Sequence, residues 1–278
     1  MSRPQRLSLR PGRLAICRLP PGQPPEWLDP GPPLAACVWS EDGMTVVCAE
    51  DEVPAGVRAE RGRRSLSVAG PLEHSLTGVL AGLSAPLADA GVPVFVLSTW
   101  ETDHLLVAEE QCGTAAAALR EAGHRVDGCV EAVFTAPTAT RMPEPVEEAE
   151  ALPGQGLAGD RYFTGEGTFW KTGKPGQDLT LVEAEAIEGL ATGHGIDLEP
   201  AASRRNVLTR GIDLNSLVGR RFFVGEVECQ GDRLCDPCAH LERLTEPGTK
   251  AGLEGRGGLR ADIVAGGTIR PGDAVGAA

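Results

Sequence analysis

Aromatic residues are scarce in this chain: one tyrosine, four tryptophans and six phenylalanines among 278 residues. Packing therefore rests on small aliphatic side chains, and 36 glycines with 22 prolines make the chain rich in turns. Positive charge is short as well. Lys and Arg number 26 against 39 Asp and Glu, for a formal net charge of −13. Such a balance argues against non-specific binding to nucleic acid or to an anionic membrane, both of which need a basic face. Local arginine clusters can still hold a small anion. No apolar run reaches transmembrane length, so no membrane span is expected. The basic stretch Met1–Arg13 is followed by no apolar segment, so a secretory signal is not expected either. A dense disulfide framework is also missing. The eight cysteines are scattered, and Cys37 and Cys48 sit inside apolar runs, as buried reduced thiols do. A reducing cytoplasm is the expected location.

The length allows two domains of ordinary size. Residues 14–18, 34–39 and 44–49 are short β-type runs separated by turn residues, and Pro20–Pro33 reads as a loop. A regular alternation follows. It predicts a strand at Ser65–Ala69 and a helix at Ser75–Ala90 with Leu76, Val79, Leu80, Leu83 and Leu87 on one face. A buried strand is expected at Val92–Thr99, paired with His104–Val107, then a helix at Glu109–Ala122 closed by Gly123. Arg125–Val126 opens a last strand. The order βαββαβ is a ferredoxin-like α+β unit. Beyond Asp127-Gly128 the pattern changes to short strands with glycine turns, together with a helix after Leu179–Val182 and another over Cys238–Thr245. That pattern predicts a mainly-β, β-barrel-like domain. The expected domains are 1–127, with its core at 60–126 and a degenerate second copy at 13–53, and 128–278.

Four pieces of the second domain carry chemistry. Gly154–Arg161 ends in Asp160-Arg161, which reads either as a binding loop or as a tight turn with an internal salt bridge. In Ser203-Arg204-Arg205-Asn206, strand alternation would send one arginine into a cavity and the other to solvent. The run Leu234-Cys235-Asp236-Pro237-Cys238-Ala239-His240 fits a redox dithiol, a single ligand thiolate, or a zinc site with His240 and Cys229. Gly255–Arg260 joins flexible glycines to Arg256 and Arg260, a usual means of holding phosphate. A thiolate is the softest ligand a protein offers and guanidinium is its best fixed phosphate holder. Together they suggest a group that is part soft metal and part phosphate.

In this order the pieces resemble the MOSC domain, the C-terminal domain of molybdenum cofactor sulfurases. The resemblance is carried by Leu152–Tyr162, Leu181–Ile187, Arg204–Leu214, Leu217–Arg220, Pro237-Cys238, Arg256–Ala261 and Ile269–Asp273. It implies a β-barrel-like fold and a role in the chemistry of molybdenum cofactor (molybdopterin). By position it places the metal- or sulfur-carrying, catalytic cysteine at Cys238. It places the cofactor-holding side chains at Arg205, Asn206, Arg256, Arg260, Asp160 and Arg161. No aminotransferase-like segment precedes these residues and no lysine motif supports pyridoxal phosphate, so a complete sulfurase is not expected. Reduction of N-hydroxylated or N-oxide compounds, or carriage of sulfur, is implied, with a small-molecule substrate and an electron-donor protein as partners.

The first domain resembles an ACT-type module, through Arg64–Leu80 and Val94–His104. Such modules bind amino acids at the strand-to-helix loop or dimerise. The resemblance implies an amino-acid effector held by Gly70, His74, Ser75, Glu101 and Asp103, or a homodimer contact. A non-catalytic amino-acid sensor with the second domain as scaffold is the alternative function.

Overall fold

A computed structural model describes residues 3–31, 34–171 and 173–278, and Pro32 and Pro33 of the proline-rich loop lie outside them. The chain divides into two compact units, Met1–Val126 and Asp127–Ala278. No helix among the described residues is long and apolar enough to cross a membrane.

The first unit contains β1 (Arg6–Leu9), β2 (Leu14–Leu19), β3 (Ala36–Ser40), β4 (Gly43–Ala49), β5 (Ala59–Val68) and α1 (Val79–Asp89). These are followed by β6 (Phe95–Ser98), β7 (Asp103–Ala108), α2 (Cys112–Glu121) and the start of β8 (Arg125–Thr135). From β5 onward the order is βαββαβ, the ferredoxin-like succession. Four pairs around β5 and β7 are antiparallel: β5 pairs with β7 on one edge and with β1 and β2 on the other, while β7 also pairs with β6. Residues 13–53 form three strands in the spatial order β2-β4-β3 and, among the described residues, contain no α-helix. That stretch supplies strands without the two helices of a full copy.

Three local expectations differ from the structure. Strand β5 begins six residues earlier than Ser65, because the backbone of the charged stretch Ala59–Arg64 pairs with β2. Helix α1 begins only at Val79, after Gly78 in the left-handed region (φ 79), so Leu76 lies outside it. Only Leu83 and Leu87 are buried on that helix, and Leu76 and Leu80 are exposed. Strand β6 pairs with β7 alone, so its face is half exposed rather than buried.

The second unit is a closed barrel. Its elements are the rest of β8, β9 (Glu144–Val146), β10 (Ala149–Leu152), β11 (Gly156–Leu157), β12 (Leu179–Glu183), α3 (Ala184–His194), β13 (Val207–Arg210), β14 (Arg221–Val224) and β15 (Val227–Leu234). Then come α4 (Ala239–Leu244), α5 (Thr249–Gly252), β16 (Leu259–Ala265), β17 (Gly267–Ile269) and β18 (Ala274–Ala277). Seven strands close in the order β8-β13-β12-β16-β15-β14-β18 and back to β8. Only β12 and β13 run parallel, joined by the α3 crossover. Closure removes exposed strand edges.

The interior is filled by alternating aliphatic residues around Phe222, with Val130, Leu181, Val207 and Leu259 in contact. A second cluster packs α3 and α4 outside the barrel through Val182, Ile187, Leu190, Leu208 and Leu241. Buried Arg210 bridges that layer, pairing with Glu131 at 3.0 Å and with Glu188. Close approach of strands needs glycine at Gly258, where φ is +106 and a side chain would strike the carbonyl of Leu181. This contact fixes the turn that feeds Arg260 into β16.

Candidate functional site

The segment Cys235–Cys238 leaves β15 and runs without a turn into α4. Its first half is fixed by the main chain: Cys235 N–H donates to Gly258 O at 2.7 Å, and its carbonyl accepts from Arg205 Nη2 at 2.9 Å. Pro237 packs on Gly257, where a Cβ would come within 2.7 Å of the proline ring. Cys235 is therefore buried. Cys238 is the cap residue of α4, its side chain makes no capping bond, and it is exposed. Both cysteines line one cleft but differ in exposure: Cys235 is buried in its wall and Cys238 is open to solvent.

That cleft encloses about 660 Å³ of empty space, part of it open to solvent. Cys238 lines it together with Arg161, Arg204, Arg205 and Arg260, against one lining carboxylate, Asp236. In a chain of net charge −13, four guanidiniums around one thiol make a local site for an anion. Thr180 and Arg260 face each other across β12 and β16, and Thr180 Oγ donates to Asn206 Oδ1 at 2.8 Å. Asn206 in turn donates from Nδ2 to Phe134 O at 3.3 Å, so its amide braces the barrel rim. On another wall, Phe169 and His240 meet edge to face at 5.6 Å, and Arg161 lies 5.6 Å from the ring centroid of Tyr162.

The four arginines are held differently. Arg205 is buried, and it donates through Nε to Gly257 O (2.9 Å), through Nη1 to Ser203 O (3.0 Å) and through Nη2 to Cys235 O. It ties three segments of the rim together. Arg161 pairs with Asp160 at 3.2 Å. Arg260 makes one long bond, to Gly176 O. Arg204 donates to Thr140 O (3.4 Å) and Arg141 O (3.0 Å) and pairs with no carboxylate among the described residues. Burial pushes its guanidinium below the usual value, the neighbouring Arg161 pushes it further down, and Asp160 partly offsets this.

Several sequence expectations are corrected here. Arg204 and Arg205 precede β13, so strand alternation does not apply: both line the cleft, and Arg204 is the cap of a short 3₁₀ turn with φ 62. Arg256 lies outside the cleft, because it pairs with Glu183 at 2.7 Å from a position half exposed to water. Asp160 is buried below the cleft rather than lining it, accepting from Ala136 N–H (3.1 Å) and Tyr162 N–H (3.0 Å). Its part is to shape the turn and orient Arg161. The zinc arrangement also fails: Cys229 is buried in the barrel interior, and among the described residues no three His, Cys, Asp or Glu side chains come close enough to share a metal ion.

The cysteines should separate in a labelling experiment. Burial pushes the thiols of Cys48 and Cys229 up to about 12, so their thiolate population stays negligible through pH 9. Native protein without bound ligands should show one fast-reacting thiol toward an aromatic disulfide reagent at pH 8. Cys238→Ser should remove that fast phase, and its survival would contradict this assignment.

In the first unit, a shallow cleft is lined by His74, Trp100, Ser98 and Asp103. His74 and Trp100 stack at 4.5 Å, and Ser98 Oγ donates to Asp103 Oδ1 at 2.5 Å. Gly70, Ser75 and Glu101 are not among its lining residues. Their backbone is already engaged or displaced: Leu72 N–H donates to Glu101 O at 2.8 Å, and α1 starts four residues after Ser75. The amides of residues 70–76 therefore do not form a helix N-terminus.

Family models describe both units. An ACT domain matches residues 58–121 and a MOSC domain matches residues 169–276. The chain carries an ACT domain followed by a MOSC domain. No curated protein matches it. Among solved structures, Atu0741 from Agrobacterium tumefaciens is 30% identical, over 45% of this chain and 93% of that one, at a TM-score of 0.43. YuaD from Bacillus subtilis is 20% identical, over 54% and 94%, at 0.46. YiiM from Escherichia coli is 19% identical, over 55% and 69%, at 0.42.

The MOSC cleft also contains residues that motif reading passed over, namely Tyr162, Phe169, Thr180 and Gln177. One signal was available: Tyr162 is the sole tyrosine of an aromatic-poor chain, and it follows Asp160-Arg161 directly.

Proposed function

We propose that the MOSC domain holds molybdenum cofactor, with Cys238 as the protein's sulfur ligand to the metal or as the carrier of a transferred sulfur. The observation that carries this reading is the exposed Cys238 thiol in a cleft walled by Arg161, Arg204, Arg205 and Arg260. A soft thiophilic metal and a phosphate ask for that combination of ligands. When bound, the cofactor supplies a redox-active metal for reducing N-hydroxylated or N-oxide compounds, or an acceptor for sulfur. The chain's own residues do the rest. Arg260 and Arg161 would hold phosphate oxygens, Arg205 keeps the cysteine segment in register, and Tyr162, Phe169 and His240 line the same cleft beside the thiol. Elemental analysis of the full chain from a host that makes the cofactor tests the reading. Stoichiometric molybdenum is expected, and protein that takes up none under those conditions would overturn it. A protein electron donor and a small-molecule substrate complete the proposal.

The ACT domain is proposed to bind an amino-acid effector in the cleft of His74, Trp100 and Asp103, or to form a homodimer contact. Asp103 is the lining carboxylate suited to an α-ammonium group, alongside Glu73. One or more of the twenty amino acids should raise the melting temperature of the full chain, and Asp103→Ala should abolish that rise. A shift that persists in Asp103→Ala would remove Asp103 from the site.

A further inference from the structure

Thr140 and Arg204 are the only non-glycine residues with positive φ among the described residues, at 68 and 62°. Left-handed backbone is costly for residues with a Cβ and persists where surrounding structure enforces it, often at ligand sites. The two positions meet: Arg204 Nη1 donates to Thr140 O, and Nη2 donates to the next carbonyl, Arg141 O, at 3.0 Å. The same guanidinium lines the cleft of Cys238. Its hydrogen-bond partners among the described residues are two neutral carbonyls, and Arg161 lies beside it, donating to Arg204 O at 3.5 Å.

A half-buried charge hydrogen-bonded only to neutral carbonyls, beside a like charge that Asp160 only partly offsets, is an incomplete arrangement. An anion completes it. The other three cleft arginines have separate engagements: Arg205 with three rim carbonyls, Arg161 with Asp160, and Arg260 across the cleft floor beside Thr180. Arg204 thus differs from the other three in its acceptors, two loop carbonyls of residues 140 and 141, while sharing their cleft.

We infer that the MOSC cleft selects substrates bearing an anionic group, with Arg204 as the residue that recognises it. This deepens the proposed function and rests on it for the identity of the cleft as the reacting site. The aromatic rim of Tyr162, Phe169 and His240 would receive the flat part of such a substrate, and the guanidinium its carboxylate or phosphate. A guanidinium pairs with either anion through parallel N–H bonds.

Calorimetry on the full chain, with and without cofactor, tests the inference using benzamidoxime and 4-carboxybenzamidoxime as probes. Wild type should bind the carboxylate probe roughly 10- to 100-fold more tightly in both forms, the scale of a charged hydrogen-bonded pair. Arg204→Gln should remove that preference, weakening the carboxylate probe far more than benzamidoxime, and Arg204→Lys should keep part of it. Three outcomes would overturn the inference: no preference in wild type, equal weakening of both probes in Arg204→Gln, or a preference that vanishes once cofactor is loaded. The last would assign Arg204 to the cofactor's own phosphate. Calorimetry without cofactor needs no molybdenum, so failure of the molybdenum reading and failure of Arg204 are separable.

Discussion

Cys238→Ser is expected to strip molybdenum from the purified protein, whereas Cys235→Ser keeps it. The two cysteines are three residues apart and chemically identical, and the fold separates them. Cys235 is 2% exposed, and its main-chain links to Gly258 and Arg205 are untouched by a change at its sulfur. Cys238 is exposed beside four guanidiniums. A serine oxygen is a hard ligand and a poor replacement for thiolate on a soft metal. Loss of the ligand itself should exceed the ~10- to 100-fold affinity cost of losing a ligand's supporting partner. Elemental analysis of the two variants after one purification gives the comparison. Equal molybdenum in both would mean that Cys238 is not the ligand, and loss in both would mean that the pair acts together.

Arg205→Lys should destabilise the MOSC domain by about 3 kcal/mol and lower its molybdenum content as well. Its guanidinium reaches the carbonyls of Ser203, Cys235 and Gly257 in one plane, within 3.0 Å of each. An ammonium on a flexible stem cannot span the three, so at least one buried carbonyl is left without a donor. Arg256→Lys is the control. Its pair with Glu183 sits at the surface, with the arginine side chain 52% exposed, and such pairs contribute about 0–1 kcal/mol. Denaturant midpoints at matched pH decide between them. A shift for Arg205→Lys no larger than for Arg256→Lys would show that the rim does not depend on that bridge.

Much of this organisation is legible in the sequence, and the exceptions have physical reasons. The alternation of strand and helix signals from residue 65 to 126 fixes the ferredoxin-like order because each element is set by local periodicity. The barrel strand Val207–Arg210 is buried on both faces although its sequence, Val-Leu-Thr-Arg, is apolar only in its first half. Arg256 could not be placed by motif alone, since its partner Glu183 lies 73 residues away. Nor could the roles of Arg204 and Arg205 be separated, because the chain there bends through a 3₁₀ turn instead of continuing as a strand. The late start of α1 follows from Gly78 in the left-handed region, which periodicity of Leu76 and Leu80 overrides on paper. Burial of Cys48 is readable from its apolar neighbours, but the contrast between Cys235 and Cys238 depends on contacts with residues 205, 257 and 258.

The most direct test of a molybdenum–Cys238 bond is X-ray absorption on cofactor-loaded full chain with selenocysteine substituted at position 238. A selenium neighbour bonded to molybdenum, visible at both absorption edges, is the expected result. Molybdenum bound in full amount with no selenium in its coordination sphere would contradict it.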